Sequence, residues 1–216
     1  MIIKRLGAIV GAAVAALTLA SSASAATATP TMLTAPTGHT ITWVSPDGKT
    51  KVSLHTMTAS EVAAAGLTKY APPTAKPISG SLVVGSSATA PTHRTAVTPN
   101  LVHPNASGCW SETITWNFAF GMAAYGSEDW CGDGTWVSYT SPSCWGTGGW
   151  YPTYNYMSCN VNSSYGVGWN LAQLTYHWDM CIAWVPVGGY CAEHAYPYAE
   201  YQAFGNGSFN LISYHS

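Results

Sequence analysis

The sequence predicts an all-β fold, a small disulfide-bonded antiparallel β-sandwich or barrel preceded by a signal peptide and a small basic N-terminal segment. Three observations carry this. All six cysteines, Cys109, Cys131, Cys144, Cys159, Cys181 and Cys191, fall in one acidic, aromatic-rich half of the chain. The run Glu112–Phe120 alternates strictly, placing Ile114, Trp116, Phe118 and Phe120 on one face and Thr113, Thr115 and Asn117 on the other. More short runs of strand-forming residues follow, separated by Gly-rich turns, and none has a helical period.

Charge sets the domain organisation. All seven Lys and Arg residues lie at or before Arg94, whereas residues 108–216 hold seven of the nine acidic residues, nine of the ten Trp and twelve of the thirteen Tyr. Residues 1–25 read as a secretory signal: Lys4 and Arg5 precede the apolar run Leu6–Ala20, and Ala23-Ser24-Ala25 suits a signal peptidase. That run is shorter than the roughly 20 residues of a membrane span. The chain is therefore expected to be secreted and extracellular, with no membrane association after cleavage.

Residues 26–70 form the small basic segment. Thr40–Ser45 and Lys51–His55 flank Pro46-Asp47-Gly48 as a hairpin, and Thr58-Ala59-Ser60-Glu61 opens a short helix with a capping box. One hairpin and one helix bury little, so this piece is marginal alone; the +3 charge of residues 26–107 points to docking on the acidic domain as a pro-segment or cover, the alternative being a tether with incidental charge. Residues 71–107, rich in Pro, Thr, Ser and Ala, read as a linker in which Leu82–Val84 adds a strand.

In the acidic domain, 108–216, further strands are expected over 135–140, 154–161, 168–184 (broken once), 198–204 and 209–214, the last two joined by the turn Gly205-Asn206-Gly207. Export into an oxidising compartment makes the cysteines a disulfide framework. The local pair is Cys181–Cys191, because the intervening Pro and Gly residues bring its ends together. Zinc is not expected, since no closely spaced Cys pair occurs.

Trp and Tyr dominate the aromatics here, and their polar atoms favour half-wet positions over dry cores. The densest stretch, Cys144–Tyr156, presents Trp145, Trp150, Tyr151, Tyr154 and Tyr156 on a Gly-rich loop and is the expected ligand-binding region. Aromatic faces without nearby cations suit the C–H faces of a neutral glycan or an extracellular protein surface. With no Lys or Arg after Arg94, the domain cannot neutralise phosphates, which excludes nucleic acid as a partner.

Candidates for catalysis are few. His177 and Asp179, two apart on a strand, share a face, and Glu193-His194 follows close to Cys191. Glu112 and Glu200 form a conceivable carboxylate pair for glycoside hydrolysis. Glu128, Asp129 and Asp133 on a Gly-rich turn offer oxygen ligands for calcium. No motif calls for a cofactor. The resulting expectation is a noncatalytic β domain that binds a neutral glycan or another extracellular surface through Trp and Tyr. The alternatives are a small secreted hydrolase made as a proprotein and a secreted structural or self-associating protein.

Overall fold

The computed structural model describes residues 31–71, 78–85, 91–93 and 107–215, so the expected signal peptide and most of the expected linker lie outside the described residues. The molecule is nearly all strand. In chain order these are β1 (Thr31–Pro36), β2 (Thr40–Val44), β3 (Thr50–Thr56), helix α1 (Ala59–Ala64), β4 (Ser79–Val84), β5 (Gly108–Asn117), β6 (Ala123–Gly132), β7 (Val137–Thr147), β8 (Asn155–Tyr165) and β9 (Leu171–Cys181). Two-residue strands β10 (Trp184–Val185), β11 (Tyr190–Cys191) and β12 (His194–Ala195) precede β13 (Tyr198–Phe204) and β14 (Ser208–His215).

These strands build two principal sheets. One has five strands in the order β2-β3-β5-β6-β7; the other has seven, in the order β1-β4-β14-β13-β9-β12, with β8 also paired to β9. Every pairing within them is antiparallel except β4 with β14.

The break expected at residue 107 is not a break in the sheets. Strand β3 pairs with β5 along Thr50–Thr56, and β4 lies alongside β14. The reason is physical: without β3 and β4, both β5 and β14 would expose unpaired backbone at a sheet edge. Strand β3 also alternates, sending Val52 and Leu54 into the core while Lys51, Ser53 and His55 point away. Basic and acidic segments therefore share one core, with Leu82 of β4 inside it.

That core lies between the two sheets and is built around Trp110, Trp116, Trp130 and Trp178 with Tyr176, Tyr201 and Phe209. Polar atoms of these rings tie one sheet to the other. Trp130 Nε1 donates to Phe204 O (3.0 Å), Trp178 Nε1 to Tyr125 O (3.0 Å), and the Tyr176 hydroxyl to Ser127 O (2.6 Å). Helix α1, closed by the reciprocal Thr58–Glu61 capping box, lays Val62 over the Cys109–Cys131 disulfide on the far side of the five-stranded sheet. Cys144–Cys159 joins β7 to β8 and hence one sheet to the other, and Cys181–Cys191 closes the β10–β11 hairpin. Three disulfides of this kind belong to an oxidising environment. Among the described residues no helix is long and apolar enough to cross a membrane.

Two strand readings need correction. Strand β5 ends at Asn117, so the alternation does not run on to Phe120. Instead residues 119–121 make a tight turn, closed by Phe118 N to Met122 O (2.8 Å) and Met122 N to Ala119 O (3.3 Å). The Gly-rich acidic stretch through Glu128 and Asp129 is not a turn but the body of β6.

Candidate functional site

The turn after β5 creates the most unusual surface feature. Phe120 is the only non-glycine described residue with positive φ (58°), a conformation costly for a bulky side chain, and Gly121 follows at φ 78°. The β7–β8 loop holds this turn in place. Trp150 N donates to Phe120 O (2.9 Å), and Gly149 N to Tyr154 O (3.0 Å). Gly149 is required there, because a Cβ would stand 2.9 Å from Tyr154 Cβ and 3.0 Å from Phe120 O.

Around Phe120 the rings gather: Trp150 edge-on at 5.2 Å, Tyr151 stacked at 5.2 Å and Tyr154 tilted at 4.8 Å. This is not a core. Trp150 is 76% exposed, Tyr151 46% and Phe120 39%. Of the five expected binding residues, Trp150 and Tyr151 sit at the surface of this cluster, while Tyr154 lies beneath it and packs against the core. Trp145 makes a separate exposed stack on Tyr125 (5.4 Å, 12° between planes), and Tyr156 packs against the core with its hydroxyl on Cys159 Sγ. Sequence alternation had assigned Phe120 to the buried face of a strand; the adjacent Gly121 was the signal that the strand stops first.

The candidate carboxylates scatter. Glu112 faces the core, directly across from Glu128 in the β5–β6 register, and both are fully buried. Glu200 points outward from the other sheet, so Glu112 and Glu200 are not brought together as a hydrolytic pair. Burial holds the Glu112 carboxyl well above the usual range, and the neighbouring Glu128 adds to this. Burial pushes Glu128 up to about 8, against the pull of the Thr140 hydroxyl donating to its Oε1. Both oxygens of Glu112 and Glu128 Oε2 have no hydrogen-bond partner among the described residues. Two like charges at this spacing in a dry core would be prohibitive, so both carboxyls are neutral at acidic pH.

The three candidate calcium ligands are also separated by the strand they lie on. Glu128 points inward, its neighbour Asp129 points to the opposite face, and Asp133 accepts from Thr135 N (3.0 Å) and Trp136 N (2.8 Å) in the following turn. His177 and Asp179 do share the outer face of β9, but they do not pair. His177 meets the Tyr198 ring edge-on at 4.9 Å, whereas Asp179 Oδ1 lies 2.5 Å from His194 Nδ1.

Glu200 has the richest polar surroundings. Gln173 Nε2 donates to its Oε1 (2.7 Å), the Tyr198 hydroxyl donates to its Oε2 (3.0 Å), and Gln202 Nε2 donates to Gln173 Oε1 (3.2 Å). These residues line the outer face of the seven-stranded sheet, which is rich in amides and hydroxyls. No hydroxyl or thiol nucleophile accompanies Asp179 and His194 among their hydrogen-bonded partners, and all six cysteines are in disulfides.

No family model, no curated protein and no solved structure matches the chain. Its function has to be read from the residues themselves.

Proposed function

We propose that this is a secreted, noncatalytic β-sandwich protein that binds a neutral glycan through an exposed aromatic cluster. The observation that carries the reading is the Phe120–Trp150–Tyr151 surface, held open by a backbone conformation that Phe rarely adopts. Strain and exposure together cost stability, and a core-building role explains neither. A ring-shaped ligand with C–H faces recovers that apolar area when it docks. No Lys or Arg follows Arg94, which favours an uncharged ligand over an anionic one. Support for the sandwich is the single core enclosed by two sheets and the Cys144–Cys159 link between them. The signal-like N-terminus and three disulfides support secretion.

The test uses the whole secreted chain, because residues 31–84 supply strands to both sheets. It is applied to a glycan array and to insoluble polysaccharides, with retained protein and released sugar scored together. Retention without release is expected, and Trp150→Ala should weaken it about tenfold, the equivalent of about 1.4 kcal/mol. Release of sugar would replace the binding reading with the hydrolase alternative. Absence of both signals would leave the aromatic cluster to a protein partner and overturn the glycan.

A further inference from the structure

A groove of about 500 Å³ opens on the outer face of the seven-stranded sheet, away from the strand faces that make the core. Its floor comes from β4, β13 and β14. Ser81 pairs with Ser208 and Val83 with Asn210 in the β4–β14 register, and Gln202 of β13 stands opposite Asn210. Its walls come from Asn170, which precedes β9, and Asn206 in the β13–β14 turn, with Phe204 and the exposed Met32 supplying apolar surface.

Among the described residues the lining contains no acidic, basic or His side chain. What it contains instead is three carboxamides. Two are fastened through their oxygens: Asn170 Oδ1 accepts from Thr92 N (2.7 Å) and Asn206 Oδ1 from Ser208 N (3.0 Å), which leaves both NH2 groups as donors. The third, Asn210, is only 8% exposed and makes no side-chain hydrogen bond among the described residues. Beside it Gln202 is 6% exposed, and its Oε1 has no partner. A buried carboxamide oxygen left open in this way, as at Gln202, costs stability unless water or another group completes it.

We propose that this groove is a second binding site, taking a mono- or disaccharide or a comparable uncharged polyol. The chemistry narrows the ligand from three sides. A charged ligand would find no counter-charge among the described residues that line the groove. A wholly apolar ligand would seal the carboxamides of Asn170, Asn206 and Asn210 away from water with hydrogen bonds unmade. A polyol offers hydroxyls that donate and accept at once, as carboxamides do, together with C–H faces for Phe204 and Met32. The volume falls within the usual range for small-molecule sites. The site uses none of the residues of the aromatic cluster and stands whether or not that cluster binds glycan.

The experiment is a titration of the whole secreted chain with free glucose, galactose, mannose, N-acetylglucosamine and their disaccharides, followed by ligand-observed NMR and calorimetry. Saturable binding of at least one sugar is expected. Asn210→Leu and the shape-preserving Asn210→Asp should each weaken it tenfold or more, while Val187→Ala, at an exposed position outside both the groove and the aromatic cluster, leaves it unchanged. Asn210→Asp keeps the side-chain outline, so the comparison survives if the Leu variant folds poorly. The proposal is overturned if no sugar saturates, or if binding falls with Trp150→Ala and not with the Asn210 variants. The second of those outcomes assigns free-sugar binding to the aromatic cluster and keeps that reading intact.

Discussion

The space between the sheets and the outer surfaces of the same sheets draw on the same residue types and treat them in opposite ways. Inside, Trp110, Trp116, Trp130 and Trp178 are packed away from water, and Glu112 faces Glu128 with no cationic partner among the described residues. Outside, Trp150 stands in solvent, and Glu200 is held by the Gln173 amide and the Tyr198 hydroxyl. Strand β13 shows the contrast within seven residues: Ala199, Tyr201 and Ala203 belong to the core, and Tyr198, Glu200 and Gln202 do not. Side-chain chemistry alone therefore does not decide what a residue does here. The face it occupies decides whether a carboxyl is shut in the core or hydrogen-bonded at the surface.

The most severe way to break this division is to force the two sheets apart. Gly132 at the end of β6 and Gly205 in the β13–β14 turn touch backbone to backbone, and a Cβ on Gly132 would lie 2.1 Å from Gly205 O. A Cβ on Gly205 would lie 2.5 Å from the Trp136 carbonyl carbon. Gly205→Ala should cost about 3 kcal/mol and lower the melting temperature by roughly 10 °C. An unchanged melting curve would show that the sheets have slack at this contact.

Next in size is the pH response of the buried pair. A carboxyl whose folded value is raised contributes stability while it is protonated. That contribution is complete below the ordinary carboxyl value of 4.5 and is lost as pH climbs towards about 8 for Glu128, with Glu112 titrating in the same upward direction. Stability should therefore be highest near about pH 4.5 and fall by on the order of a few kcal/mol as pH approaches about 8, with the melting temperature falling alongside. Glu128→Gln should flatten that slope and melt higher than the parent at the alkaline end. A parent protein equally stable across this window would mean that the pair is hydrated or paired in solution.

Smaller effects sharpen the outer half of the comparison. Phe120→Gly removes a ring from the exposed cluster and also relieves its left-handed strain, so stability should change by less than about 1 kcal/mol. Glycan retention should fall several-fold. A large loss of stability would instead make Phe120 a packing residue. Glu200→Gln should shift stability by no more than about 1 kcal/mol, because its carboxyl lies at the surface and an amide can still meet the Gln173 and Tyr198 groups. Comparing its melting profile with that of Glu128→Gln measures directly how far the two faces differ.

Several elements were legible in the residue order. The strand 198–204 and the Gly205-Asn206-Gly207 turn lie where alternation and turn chemistry put them, as do the β2–β3 hairpin and the Thr58–Glu61 capping box. Strand β6 was not legible, because Gly126, Glu128 and Asp129 carry turn and solvent signals; Gly126 is needed where the Tyr176 ring crosses, 2.8 Å from the position of a Cβ. Nor was the inward direction of Glu128, since an isolated carboxylate is rarely found in a core. Of the exposed cluster, Trp150 and Tyr151 could be named from the aromatic, Gly-rich loop, while Phe120 could not, because its role depends on a strand ending three residues earlier.

By itself the sequence determined the strand-forming character of the chain, its disulfide-rich chemistry and the absence of cations from its second half. These follow from properties that act over a few residues: a two-residue side-chain period, turn preferences and charge. Only the tertiary structure decided that β3 and β4 complete the sheets begun by the acidic half, and that Glu112 meets Glu128 in the core. It alone brought Asn170, Asn206 and Asn210 together in a groove. Each of those outcomes depends on which strand lies next to which, and pairing is settled by burying faces and edges contributed by residues far apart in the chain.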